Sequence, residues 1–187
     1  MEATRRLFVG IVLSDGIVGT IRRKEQCLVK QYPHLPVRWT PLESLYIEVA
    51  SLGYVSDMQL PDVLDRLRVA VAQQLAFDIT LRQWVLMPSV EQPKMVWLMA
   101  DSPSVELGTL KTIVERVLAP QHPSISAYRP HITLGRIVQK SWRALEQKPQ
   151  IAAETICTVA VERITLFEKV PGSCIQKIVP LAEYSLM

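Results

Sequence analysis

Cysteine is scarce in this chain. Cys27, Cys157 and Cys174 are odd in number, scattered and in no Cys-x-x-Cys spacing, which argues against a disulfide framework and a cysteine zinc site and leaves buried free thiols as the expectation. Long apolar runs are missing too. The longest near the start, Leu7 to Leu13, stops at Ser14-Asp15-Gly16, far short of the ~20 residues a membrane-spanning helix needs. No small-residue cleavage site follows it, so neither a membrane span nor a signal peptide is expected, and the chain is expected in the cytoplasm. There is no Gly/Ser-rich linker, no low-complexity tract and no short-period repeat. Charge of one sign is also slight: a net +3 and a pI near 8.8 are compatible with a phosphate-bearing ligand but do not by themselves indicate nucleic acid.

What is present is the material of a folded core. With 49% hydrophobic and 21% charged residues, 187 residues suffice for one medium domain, or two small lobes sharing an interior. Residues 7–13, 45–52, 77–86, 94–100, 156–161, 164–169 and 174–181 read as strands, with Pro171-Gly172 as the turn before the last. Helices are expected over 17–29, from Pro61-Asp62 through the stripe Val63, Leu64, Leu67, Val71 and Leu75, and over 103–118. In the last of these Val105, Leu107, Leu110, Ile113, Val114 and Val117 form the buried side. The Arg22-Arg23-Lys24 triplet reads as a solvated face, Trp84 and Trp97 as core tryptophans before base-stacking ones, and residues 140–148 as a short polar helix or loop over a cleft.

One stretch carries chemistry: Ser126 to Val138, SAYRPHITLGRIV. Pro130 is excluded from a helix interior and biases Arg129 toward extended backbone, so a strand begins at His131. Residues two apart share a face of a strand. His131 and Thr133 therefore point one way and Ile132 and Leu134 the other, giving an apolar face and a face with an imidazole and a hydroxyl, flanked by Arg129 and Arg136. Taken alone, the same pattern also describes a half-buried strand whose histidine is satisfied by a neighbour.

Tyr128-Arg129-Pro130-His131-Ile132-Thr133-Leu134-Gly135-Arg136 resembles the second signature of the two-histidine (2H) phosphoesterases, specifically the RNA 2',3'-cyclic phosphodiesterases once named 2'-5' RNA ligases. Arg6 to Leu13 is similar to that family's first strand, Val37 to Leu45 to the lead-in of its first signature, and Val161 to Glu168 to its C-terminal hairpin. The resemblance implies an α+β, bilobal fold over residues 1–187 as a single domain, with two pseudo-symmetric antiparallel sheet lobes and outer helices around a central cleft. It also implies metal-free, cofactor-free hydrolysis of a 2',3'-cyclic phosphate to a 2'-phosphomonoester, one histidine acting as base, the other as acid, and threonines holding the phosphate. By position His131 and Thr133 carry over as catalytic, while Thr133, Arg136 and Arg129 are the substrate phosphate-binding candidates. The implied partners are RNA 2',3'-cyclic phosphate ends or cyclic nucleotides, with no membrane, no metal and a monomeric chain.

The first signature departs from the pattern. Where the family has His-x-Thr, this sequence has Tyr46-Ile47-Glu48. A tyrosine with an ordinary pKa of about 10 is a poor base at neutral pH, although its hydroxyl can donate to a phosphate or a leaving oxygen. A carboxylate ~4 Å from a phosphodiester costs about 1 kcal/mol or more. Three readings stay open: Glu48 is recruited as the base, with His131 the acid; the chain is an inactive member that binds RNA ends, a nucleotide or a protein; or Glu48 and His131 form a structural ion pair. His34 and His122, each beside a proline in a loop, are the other histidines that could replace the missing one.

Overall fold

The computed structural model describes residues 3–101, 104–118, 128–149, 154–170 and 177–187. Among the described residues, alternating apolar residues make nine strands: β1 (Thr4–Val12), β2 (Val37–Trp39), β3 (Tyr46–Ser56), β4 (Phe77–Met87), β5 (Met95–Ala100), β6 (His131–Ile137), β7 (Glu154–Val161), β8 (Arg163–Val170) and β9 (Lys177–Ser185). The helices are α1 (Asp15–Gln31), α2 (Leu60–Val71), α3 (Val105–Leu118) and the short α4 (Gln139–Arg143). Every strand pairing is antiparallel, in the order β7-β4-β5-β6-β3-β1-β8-β9, with β2 also on β6. The class is α+β, as the sequence implies.

β7, β4, β5, β6 and β2 form one lobe, and β3, β1, β8 and β9 the other. They meet at a single described pair, Ile47 opposite Ile132. Both side chains are fully buried, so hydrophobic burial fixes which face of each strand is which. α1 packs on β7 of one lobe, and α3 packs on α2 and on β3 of the other, with Lys111 and Glu115 of α3 also lining the cleft.

The two signature strands share an irregularity. In β6 the register skips Leu134 between Trp97↔Thr133 and Val96↔Gly135, and in β3 it skips Val49 between Gly10↔Glu48 and Val9↔Ala50. Each bulge follows the second signature residue directly, producing the consecutive buried residues Leu134-Gly135 and Val49-Ala50. In β6 the extra residue shifts the alternation by one and returns Arg136 to the face of His131 and Thr133. β3 also passes Leu52, where the expected strand ends, because Gly53 takes φ +71° at a further register shift.

Three more details differ from expectation. Leu75 lies beyond α2 and is exposed, and Val105 is exposed at the start of α3, where Ser104 Oγ accepts from the Leu107 N–H. Residues 140–148, expected over the cleft, do not line it. Gln139 Nε2 donates to the Pro93 carbonyl, and Trp142, 1% exposed, anchors α4 in the core because its indole outweighs the polar residues around it. Pro103, the Pro171-Gly172 turn and Cys174 lie outside the described residues.

Gly135 is required by close approach. A Cβ there would stand 2.6 Å from Val37 Cγ1 and 2.9 Å from the Arg38 carbonyl oxygen, which β2 pairing holds in place. Gly108, inside α3, has nothing within 4 Å. Gly135→Ala is expected to lose about 1–3 kcal/mol through overpacking, whereas Gly108→Ala gains about 0.5–1 kcal/mol; paired urea denaturation curves check both signs.

Candidate active site

The pairing of Ile47 with Ile132 positions the site. In an antiparallel register their neighbours face each other on the other side of the sheet, Tyr46 toward Thr133 and Glu48 toward His131. All four line one cleft of about 1390 Å³. Tyr128, just before β6, braces this seam by donating its hydroxyl to the Glu48 carbonyl oxygen at 2.9 Å.

His131 Nδ1 lies 2.7 Å from the Arg129 carbonyl oxygen, so Nδ1 carries the proton and donates. The neutral ring then leaves Nε2 as an acceptor. Burial pushes the imidazole below its usual 6.5, outweighing the opposing pulls of the Arg129 carbonyl and of Glu48. Trp97, opposite Thr133 on β5, stacks on the imidazole with ring centroids 3.6 Å apart.

Tyr46 has equivalent aromatic support. Phe8 and Phe167 pack against it with centroids at 4.7 and 6.0 Å, and its phenol is pushed up to about 12, chiefly by burial and then by Glu48. It remains protonated through the neutral range.

Glu48 is paired with Lys169, not with His131. Lys169 Nζ donates to its Oε2 at 2.7 Å, and the same ammonium lies 4.4 Å from the Phe8 ring centre. Lys169 is 13% exposed and Glu48 36%, so the contact is partly shielded from water. The carboxylate charge that would repel a phosphate is balanced inside the cleft. The Glu48–His131 ion-pair reading gives way to this arrangement.

Arg129 and Arg136 are exposed cleft-lining residues, as is Arg38 on β2. None of the three has an ion-pair partner among the described residues. His34 is exposed and off the cleft lining, and His122 lies outside the described residues. Among the described residues no group of three or more His, Cys, Asp or Glu could hold a metal ion, and no helix is long and apolar enough to cross a membrane.

Sequence reasoning missed Lys169, Arg38 and the place of Trp97. The signal for Trp97 was its alternation with buried Val96 and Leu98, which turns it to the His131 face; Trp84, by contrast, is core. Lys169 follows Phe167 by two, but nothing local to β8 reveals that β1 lies beside it with β3 next in order.

A protein-family model described as the 2'-5' RNA ligase superfamily matches residues 45–172. An RNA 2',3'-cyclic phosphodiesterase of Aeropyrum pernix is 27% identical over 123 residues, 65% of this chain and 68% of that protein. Among solved structures, E. coli LigT complexed with NADP+ matches with a TM-score of 0.79 at 23% identity, covering 98% of this chain and 99% of that one. A protein of Thermus thermophilus matches at 0.79 and 20% identity, covering 97% of each chain. At these identities the two structures speak for the fold.

Lys169→Met is expected to raise the His131 pKa, because the unbalanced Glu48 carboxylate then favours the imidazolium. An NMR titration of the ring protons reads the shift, and a fall would show that the pair does not set the field at His131.

Proposed function

This chain belongs to the 2'-5' RNA ligase superfamily, and from that premise we propose that it opens the 2',3'-cyclic phosphate of an RNA end to a 2'-phosphomonoester with one imidazole instead of two. The observation that carries the reading is the orientation of His131: Nδ1 is anchored on Arg129, Nε2 is unprotonated, and Thr133 stands beside it on the cleft face. A water attacks phosphorus as His131 Nε2 takes its proton. The bond from phosphorus to the ribose 3' oxygen breaks, and that oxygen receives the Tyr46 phenol proton; the imidazolium then returns a proton to the phenolate. Thr133 and Arg129 hold the non-bridging oxygens, and the Glu48–Lys169 pair keeps that wall of the cleft neutral. Glu48 is assigned no proton transfer.

A phenol held near 12 is a slower acid than an imidazolium, so turnover is expected below that of a two-histidine site by about 10²- to 10⁴-fold, the usual worth of one acid/base group. A second reading, binding without turnover, draws on the engaged Glu48 and on the lack of a second imidazole among the described cleft-lining residues.

The test is incubation with an oligoribonucleotide ending in a 2',3'-cyclic phosphate, with the 2'-phosphate product resolved by phosphorus NMR. Wild type is expected to turn over and His131→Ala to lose at least about 10²-fold. Equal inertness of the two favours the binding reading.

The pH dependence follows from the two groups. His131 acts deprotonated, so kcat/KM rises through its depressed pKa, with a midpoint below 6.5. Tyr46 acts protonated, so no descending limb is expected until close to 12. A bell centred near neutrality would instead require a second group titrating there and would remove Tyr46 from the acid role.

A further inference from the structure

The registers of four strands align one cross-strand row: Met87 of β4 opposite Met95 of β5, Met95 opposite Arg136 of β6, and Arg136 opposite Arg38 of β2. All four residues line the cleft. Residues directly opposite share a face with Cβ atoms about 5 Å apart, and like charges in that position repel. Arg38 and Arg136 nevertheless face each other, both exposed and both without an ion-pair partner among the described residues. No fold requirement for this is visible: Gly135 and Ile137 make the buried contacts of that part of β6. Two unneutralised guanidiniums side by side are an anion site, and guanidinium matches phosphate in charge and geometry.

We infer that the row binds an upstream nucleotide of a single-stranded RNA whose 3' end lies at His131. The guanidinium pair takes that nucleotide's backbone phosphate, and the two methionine side chains, polarizable and adaptable, form a wall for its base. His131 pairs with Met99, four residues along β5 from Met95, so the row lies roughly 13 Å away at about 3.4 Å per residue. Thr133 pairs with Trp97, only two residues from Met95, and Arg136 acts electrostatically on Tyr46, so the row adjoins the reacting centre and takes the phosphate next in line. The size of the cleft agrees: about 1390 Å³ exceeds the ~300–1,000 Å³ of ordinary small-molecule pockets. The bulge at Leu134 is what turns Arg136 onto this face, so the same irregularity follows the catalytic pair and builds the subsite. The chain is thereby a reader of RNA strand ends more than of free cyclic mononucleotides. This rests on the reading of the His131 cleft as a phosphodiester site.

The experiment measures binding, which does not require turnover. Affinities for 2'-AMP and for a short single-stranded oligoadenylate ending in the same 2'-phosphate are compared by calorimetry for wild type, Arg38→Gln and Arg136→Gln over a range of salt. Wild type is expected to prefer the oligonucleotide. Each variant loses most of that preference, and the salt slope for the oligonucleotide falls by roughly 0.7 for each phosphate contact removed. The free variants melt no lower than wild type, since a repulsion has been relieved. Equal affinity of wild type for both ligands would overturn the subsite. So would an unchanged preference in the variants, as when the pair grips the terminal phosphate, or a lower melting temperature. If wild type shows this preference yet hydrolyses nothing, the turnover reading fails and the subsite stands.

Discussion

Ile47 and Ile132 meet where the two lobes share a ladder, and this contact decides what the cleft contains. Both side chains are withdrawn from water, and replacing such a residue by alanine costs on the order of 2–5 kcal/mol. A slip of one residue in either strand would expose an isoleucine and bury an ionisable group, so the alternation is set by burial rather than by the polar residues themselves. Tyr46 and Glu48 on one side, and His131 and Thr133 on the other, are brought face to face as a result. Past this contact each signature strand bulges after its second polar residue, and Tyr128 ties the two together through the Glu48 carbonyl.

The electrostatics follow from the same placement. His131 is kept neutral by burial and oriented by a backbone carbonyl, so it supplies a basic nitrogen and no fixed charge. Glu48 would repel a phosphate if it stood alone, but Lys169 arrives from β8 to balance it. The excess positive charge of the cleft is therefore carried at its rim by arginines, and its floor is nearly neutral. Such a division matches the ligand proposed above, a strand with several phosphates of which one reacts.

Much of this could be read from the residues. Pro130 and the alternation after it located β6 and the shared face of His131 and Thr133, and the same period located β1, β4, β5 and β8 within a few residues. Apolar stripes located α1, α2 and α3. What escaped was non-local. Lys169 is far from Glu48 in sequence, and only the β3-β1-β8 strand order brings them together. Arg38 gains meaning only from its register opposite Arg136. Trp97 reads as core when apolar context is weighted above its parity along β5. Polarity puts the 140–148 segment over the cleft, whereas the single buried indole of Trp142 holds it on the core.

One phosphate lying between His131 and Tyr46, across the Ile47–Ile132 contact, is what the proposed chemistry requires. A crystal structure of the protein with 2'-AMP tests that most directly. The phosphate is predicted with its P–OH donating to His131 Nε2 and its other oxygens accepting from Thr133 Oγ1 and the Tyr46 hydroxyl, with the Glu48–Lys169 pair beside it. A nucleotide bound away from His131, or an imidazole turned so that Nε2 faces the protein, would contradict it.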